Sequence, residues 1–180
     1  MTRLAHAHFV EAGTASASPR LQRLLLAVGA LLAALESPTA DPAMREPARN
    51  LAKATLAARA RRLDKRGKHL ERASPAERHQ ARIAAKKLRY VAEVFAPLFP
   101  GSRTKDYLSA LGKLQAALGH LNDLATGERM IDELEPHLRT ERLVHGAGIV
   151  RGWLSGAEAP ALADADRTWR KFAKAKPFWH

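Results

Sequence analysis

One segment of the sequence carries cationic side chains at a spacing that suits a polyanion. His79, Arg82, Lys86 and Arg89 follow one another at intervals of three or four residues. On an α-helix this spacing places side chains on one face, with neighbours roughly 5–6 Å apart. A flexible chain of phosphates can follow such a line of cations. These four residues, which we call the cationic row, therefore predict a site that binds a polyanion.

The same segment also predicts how the cationic row is held. At 100° per residue, its small and apolar residues fall on one arc of about 120°: Ala81, Ala84, Ala85, Leu88, Val91, Ala92 and Phe95. The row falls on a second arc with Tyr90 and Glu93, and Lys87 lies at the flank of that arc. One face is therefore suited to a core and the other to a ligand.

The charge of the chain is concentrated around this segment. The formal net charge is +12 over 180 residues, and residues 49–89 hold 14 Lys and Arg but only 3 Asp and Glu. An unbalanced run of this kind repels itself unless an anion neutralises it. We therefore add the basic residues that precede the row to the predicted site: Arg62, Lys65, Arg66, Lys68 and Arg72.

The alternative is a solvated face whose ion pairs are internal. Glu93 can pair with Arg89 or Lys86, and Asp123 with one more cation, but two carboxylates cannot neutralise the whole row. His79 has an alternative of its own, a buried hydrogen bond to Asn122 or Asp123 that ties two helices together. Both roles stay open for His79.

No group of residues in the sequence suits catalysis. Cysteine is absent, which excludes disulfides, thiol catalysis and Cys-ligated zinc. A Gly-rich phosphate loop, paired carboxylates for magnesium and a defensible Ser/His/Asp group are also missing. His6 and His8 lie in an N-terminal segment, 1–17, that we expect to be flexible. The prediction is a binding module without a catalytic residue, a metal or a cofactor.

Helical signals are strong along the chain and strand signals are poor. Ser18-Pro19 is typical of a helix start, and a leucine-rich segment follows it to Glu36. Residues 37–47 contain three prolines and predict a linker. Further helices are predicted over 48–70, from a capping box at Ser74–Glu77 to about Ala96, from 102 to 134, and once or twice in the last quarter. Short connections favour an antiparallel bundle, so the predicted fold class is all-α.

Individual residues of these helices carry further predictions. Gly67 is interpreted as a helix C-cap rather than as a glycine that cradles phosphate. Leucines at heptad spacing, Leu56, Leu63 and Leu70, are expected in the core. Five aromatic residues are expected in the core or in terminal docking rather than in a platform that stacks bases: Trp153, Trp169, Phe172, Phe178 and Trp179.

The sequence also predicts where the protein resides. Its longest uncharged apolar run, Leu24–Leu35, is too short to cross a bilayer. The first residues lack the apolar centre of a signal peptide. We therefore expect a cytoplasmic protein with no membrane partner.

Two segments resemble the CHAD family, the conserved-histidine α-helical domain. They read RHQARIAAKKLRYVAEVF at 78–95 and LSALGKLQAALGHLNDL at 108–124. The family's signature helix is matched by the cationic row and Tyr90. Its second motif is matched by Leu114, Gln115, Leu118, Gly119, Leu121, Asn122 and Asp123. Ser18-Pro19-Arg20 and the ending KAKPFW are also similar to the family.

The resemblance implies an all-helical fold that binds inorganic polyphosphate in a basic groove and associates with polyphosphate granules. The family usually has two such helical units in tandem, whereas this chain resembles the C-terminal half alone. We therefore expect one CHAD-like domain over 18–180. We also expect a homodimer in which two copies together surround one groove.

Two rival functions stay open at this point. One is a nucleic-acid-binding module, against which stands the single aromatic residue of the basic region, Tyr90. The other is the accessory half of an enzyme that processes polyphosphate or a triphosphate. Our prediction is non-catalytic binding of polyphosphate, with nucleic acid as a non-specific competitor only.

Overall fold

The structure, a computed structural model, describes residues 13–14, 18–36 and 47–180. The chain divides into two compact units, Met1–Pro47 and Ala48–His180. The predicted domain over 18–180 takes parts of both units together, and that assignment stays a prediction. Most of the predicted flexible segment, 1–17, and most of the predicted linker, 37–47, lie outside the described residues.

The described part of the first unit is mainly one helix, α1, Pro19–Glu36. Its start is the predicted one, since the Ser18 hydroxyl accepts a hydrogen bond from the backbone N–H of Leu21 at 3.4 Å. The predicted helix in this stretch is therefore confirmed.

The second unit contains four helices: α2 at Ala48–Gly67, α3 at Pro75–Phe95, α4 at Ser102–Leu134 and α5 at Glu141–Phe172. Short 3-10 turns at Ala96–Leu98 and Glu135–His137 follow α3 and α4. No strand occurs among the described residues. The all-α prediction is confirmed, and the last quarter forms one helix that continues through Pro160. None of the described helices is long and apolar enough to cross a membrane.

Successive helices of this unit run antiparallel. His79 and Arg89 of α3 contact Asn122 and Gln115 of α4 in the reverse order. Tyr107 near the start of α4 packs on Phe172 at the end of α5, with ring centroids 5.3 Å apart. The predicted antiparallel bundle is therefore present.

The core is made of leucines, alanines and one aromatic cluster. The heptad leucines are fully buried, as predicted, with Leu56 and Leu63 in α2 and Leu70 in the turn that follows it, and so are Ala81, Ala85, Leu88 and Ala92 of α3. The predicted core arc of α3 is wider than the buried one, because Ala84, Val91 and Phe95 are only half-buried. At one end of the bundle, Phe178 and Trp179 pack on Phe99 and Tyr107. Small residues on α3 let its neighbours approach closely.

The structure explains the glycine at position 67 differently from the prediction. It is the last residue of α2, but among the described residues only Gly101 has a positive φ. Gly67 is buried under the Trp169 ring, with which any Cβ would collide. The glycine is therefore needed for close packing rather than for a left-handed cap.

Helices α4 and α5, with 33 and 32 residues, are longer than α2 and α3, with 20 and 21. They run on together past the start of α3, which lies beside residues 121–128 of α4. We call residues 125–153 the arm, and residues 48–124 with 154–180 the body. No residue of the arm is buried. The predicted burial of Trp153 is therefore wrong: it lies in the arm, where neither α2 nor α3 covers it, and is 66% exposed.

Candidate anion-binding site

Helix α3 presents the cationic row at the surface of the body. The capping box that begins the helix is confirmed: the Ser74 hydroxyl accepts from the Glu77 N–H at 3.3 Å, and the Ser74 N–H donates to the Glu77 carboxylate at 2.8 Å. Burial of the alanine and leucine face fixes the rotation of the helix. The row then lies on the open side, with His79 and Lys86 exposed and Arg82 and Arg89 half-buried.

His79 is tied to α4 and still open to solvent. Its Nδ1 lies 2.6 Å from Oδ1 of Asn122, whose Nδ2 donates to Thr126 at 3.5 Å. Because a carbonyl oxygen can only accept, Nδ1 carries the hydrogen, and Nε2 is left for a ligand. Neutral Nε2 is an acceptor, so it can donate to an anion only when the ring is protonated. The two roles considered for His79 are therefore compatible, although the hydrogen bond is exposed rather than buried.

Arg89 is held by two neighbours. Its Nε donates to the Glu93 carboxylate at 2.7 Å, and one terminal nitrogen donates to Oε1 of Gln115 at 3.3 Å. Lys86 lies over the Tyr90 ring, with Nζ 5.6 Å from the centroid. Glu93 therefore pairs with Arg89, one of the two partners considered for it, and Lys86 keeps no carboxylate in the described part of the chain.

Most of the predicted cations lack an ion pair. Among the described residues, only Lys68 and Arg89 of the predicted site are paired, with Asp64 and Glu93 respectively. Asp123, considered as a further partner, makes no ion pair there. Seven predicted cations remain without a carboxylate partner in this part of the chain: Arg62, Lys65, Arg66, Arg72, Arg82, Lys86 and Lys87. The site therefore has a local excess of positive charge that a bound anion would relieve.

A second group of cations lines a cleft between the end of α2 and the start of α3. The cleft has a volume of about 620 Å³. We call it the α2 cleft, and its lining residues are Arg62, Lys65, Arg66, His69, Arg72, Ala73 and Glu77. Four of the five basic residues predicted from this region meet here, whereas Lys68 is not part of the lining. His69 was not among the predicted site residues, although its helical spacing from Lys65 and Arg66 was a usable signal.

Among the described residues that line the α2 cleft, Glu77 is the one acid, and its carboxylate already accepts hydrogen bonds from Ser74. Hydrogen bonds from the backbone N–H and the hydroxyl of Ser74 lower the pKa of its carboxyl. It is therefore ionised at neutral pH and caps the first turn of α3. Its carboxylate offsets only part of the charge of the five basic and imidazole side chains around it.

The row and the α2 cleft lie on two flanks of α3. At 100° per residue, Glu77 is roughly half a turn away from the middle of the cationic row. The row borders α4, whereas the cleft borders α2. Lys87, which is exposed, lies on the outer face between them. The predicted site is therefore two cationic surfaces rather than one lining, and a ligand that touches both must pass over α3.

The arrangement suits binding of anions. No group of three or more His, Asp or Glu that could hold a metal ion occurs among the described residues. The guanidinium, ammonium and imidazole groups of the row and the cleft are donors that recognise phosphate oxygens.

Comparison with known protein families matches residues 1–132 to the CHAD domain. The match includes every residue of the cationic row and of the α2 cleft, and it ends before α5. A search of curated proteins found no match. A search of solved structures found none either.

Proposed function

Because this chain belongs to the CHAD domain family, we propose that it binds inorganic polyphosphate through the cationic row and the α2 cleft, without catalysing a reaction. The observation that carries this proposal is the set of seven cations around α3 that have no carboxylate partner among the described residues. A polyphosphate supplies the missing negative charge at a regular spacing along a flexible chain. It is long enough to follow the row and then cross α3 to the cleft.

Polyphosphate fits these surfaces better than a single-stranded nucleic acid does. Non-specific binding of single strands relies on aromatic side chains on which bases stack. In the basic part of the second unit, Tyr90 is the exposed aromatic residue, and its ring already lies beside the Lys86 ammonium. The surfaces therefore offer contacts to phosphates and little to bases.

A purely binding role is supported by the acids around the site. Phosphoryl transfer normally uses carboxylates that hold magnesium beside the cations. Here Glu93 is paired with Arg89, and Glu77 accepts hydrogen bonds from Ser74. We further propose that binding takes place in the cytoplasm, at polyphosphate granules.

The test is a titration of the full chain with long-chain polyphosphate, duplex DNA and RNA at the same ionic strength, with an assay for released phosphate. We expect the tightest binding to polyphosphate and no phosphate release. Tighter binding to either nucleic acid would favour the nucleic-acid module, and release of phosphate would show an enzyme.

Three charge-reversed variants locate the binding surface. One changes the α3 cations (Arg82→Glu, Lys86→Glu, Lys87→Glu), and one changes the α2 cleft (Arg62→Glu, Lys65→Glu, Arg66→Glu). The matched control changes exposed arginines of the arm (Arg129→Glu, Arg139→Glu, Arg142→Glu). All three lower the net charge by the same amount.

Only the first two variants are expected to weaken binding strongly. In nucleic acids, each neutralised phosphate contributes about 0.7–0.9 to the log–log salt slope, so losing three contacts should reduce the magnitude of the slope by about 2–3. The arm variant should keep nearly the whole slope. Equal losses in all three would show that net charge, rather than geometry, produces the binding.

A further inference from the structure

The arm has an apolar face that the rest of the second unit leaves uncovered. On α5, Leu143, Val150 and Trp153 recur at helical spacing, and on α4 Met130 and Leu134 lie one turn apart. All five side chains are exposed. We call these five residues the outer face of the arm. Repeats of this kind on surface helices normally mark a buried stripe.

The two helices turn these residues to the same side. On α5, the side toward the body is marked by Glu158, which pairs with Arg78, and by Trp169, which covers Gly67. At 100° per residue, Val150 and Trp153 lie about 40° and 100° from Leu154, on the side away from Glu158, whereas Leu143 lies close to the line of contact with α4 that passes through Leu154.

The same holds on α4. Buried Leu121 and Leu124 mark its side toward the body. Met130 and Leu134 lie on the other side of its contact with α5, which passes through Gly127. The outer face is therefore one continuous surface across two antiparallel helices.

The near-neutral charge of the arm allows a second copy to approach there, whereas the basic surfaces of two bodies would repel each other. The arm holds 5 Asp and Glu against 4 Lys and Arg, in a chain whose net charge is +12. Its 13 residues of α5 extend over about 20 Å. At physiological salt, charges beyond about 8 Å are largely screened. Two copies that meet through their arms can therefore keep their basic surfaces apart.

The area of the outer face is more than half of what a stable dimer needs. Its side chains are 41–66% exposed, which corresponds to an apolar area on the order of 300 Å² per copy if Trp153 carries about 200 Å² and each aliphatic side chain about 60–120 Å². A standard interface buries roughly 800 Å² per partner, of which about 65%, or about 520 Å², is apolar in homodimers.

We propose that two copies of this chain pair through the outer faces of their arms about a two-fold axis. The two helical hairpins then form a four-helix bundle, and Trp153 is the anchor, since tryptophan is enriched among residues that dominate interfaces. The contact differs from the dimer expected from the sequence, in which two basic units face each other. It does not rest on the proposed function. If both hold, one particle presents two sets of cationic surfaces to a polyphosphate chain.

Sedimentation velocity of the full chain, without polyphosphate and over two decades of protein concentration, tests the pairing. We expect a monomer–dimer equilibrium that Trp153→Glu and Val150→Glu shift toward monomer, raising Kd at least about thirtyfold. Val94→Glu is the matched control, because Val94 is 71% exposed on α3, away from the arm, and should leave Kd unchanged. Circular dichroism checks that all variants keep their helices.

Quenching of tryptophan fluorescence by acrylamide is a second test of the pairing, because Trp153 is exposed whereas Trp169 and Trp179 are buried. Quenching should fall as the dimer forms. A monomer at every concentration, or a dimer that both arm variants leave intact, would overturn the proposal. So would a monomer whose Trp153 is shielded from acrylamide, since another segment of the same chain would then cover the face. Because polyphosphate is absent, none of these results bears on anion binding.

Discussion

The body and the arm share α4 and α5, yet they differ in packing and in charge. In the body these helices bury leucines and aromatic rings against α2 and α3. In the arm, within the second unit, only residues 125–128 lie beside α3, and no residue is buried. The basic residues of α2 and α3 lie on the body, whereas the arm is close to neutral.

The difference shows how the cationic surfaces are supported. Repulsion between neighbouring like charges lowers the stability of the folded state, and the fold tolerates this only where a packed core offsets the loss. The row and the cleft both lie on helices whose other faces are buried. The arm contributes little to that core, so its apolar residues are available for contacts between molecules.

The largest expected difference is in stability, between a leucine of the body and one of the arm. Leu114→Ala removes a fully buried side chain and should lower the free energy of unfolding by about 2–5 kcal/mol. Leu143→Ala should change it by less than about 0.5 kcal/mol in the monomer. Denaturant titration at low protein concentration measures both. Similar losses would mean that the arm is packed in the monomer.

Two glycine-to-alanine variants test the close packing of Gly67 against the Trp169 ring. Gly67→Ala places a methyl group against the Trp169 ring and should cost about 1–3 kcal/mol. Gly112→Ala, in a helix with open space around the new methyl group, should stabilise by about 0.5–1 kcal/mol. Thermal unfolding of the two variants should therefore shift in opposite directions. A shift of both in the same direction would contradict the packing role of Gly67.

A smaller effect is expected for the histidines. Polyphosphate binding should strengthen by a few-fold in more acidic solution, because a protonated imidazole at His79 can donate a hydrogen bond from Nε2. His79→Ala should remove this dependence, whereas His145→Ala in the arm should keep it. A lower melting temperature for His79→Ala with an unchanged pH profile would leave His79 only its hydrogen bond to Asn122.

The smallest effect is expected for the capping carboxylate. The pKa of Glu77 is lowered by its bonds to Ser74, so its contribution to stability is present above the unfolded-state pKa and is lost as pH falls through the folded-state pKa. Glu77→Gln should therefore lower stability at neutral pH, with the difference shrinking below about pH 4. Glu133→Gln in the arm removes the same charge and is the control, and it should lower stability at neutral pH by less than Glu77→Gln does.

Local patterns predicted most of the fold. The capping box at Ser74 and the helix bounds follow from interactions between residues close together in the sequence, and the burial of the heptad leucines follows from their periodicity. The exposure of Trp153 could not be predicted this way. Its spacing from Val150 is that of a core stripe, and only the shorter lengths of α2 and α3 leave it uncovered.

The candidate site was predictable in composition and less so in geometry. The cations of the row were identified by spacing alone. The hydrogen-bond partners of these cations were predicted only in part. Asn122 was one of the two partners predicted for His79, whereas the contact of Gln115 with Arg89 was not predicted. The separation of the row from the α2 cleft depends on which flank of α3 each neighbouring helix occupies, and spacing within one helix does not contain that information.

The aromatic cluster at the end of the bundle has a consequence for folding. Its pairs Phe99–Phe178 and Tyr107–Trp179 join residues far apart along the chain, whereas the helical hairpins join near neighbours. Closing a long loop costs more entropy than closing a short one, and contacts of large sequence separation slow folding. We therefore expect the hairpins to form first and the aromatic cluster to close last. Replacing Trp179 should then accelerate unfolding while leaving the folding rate almost unchanged.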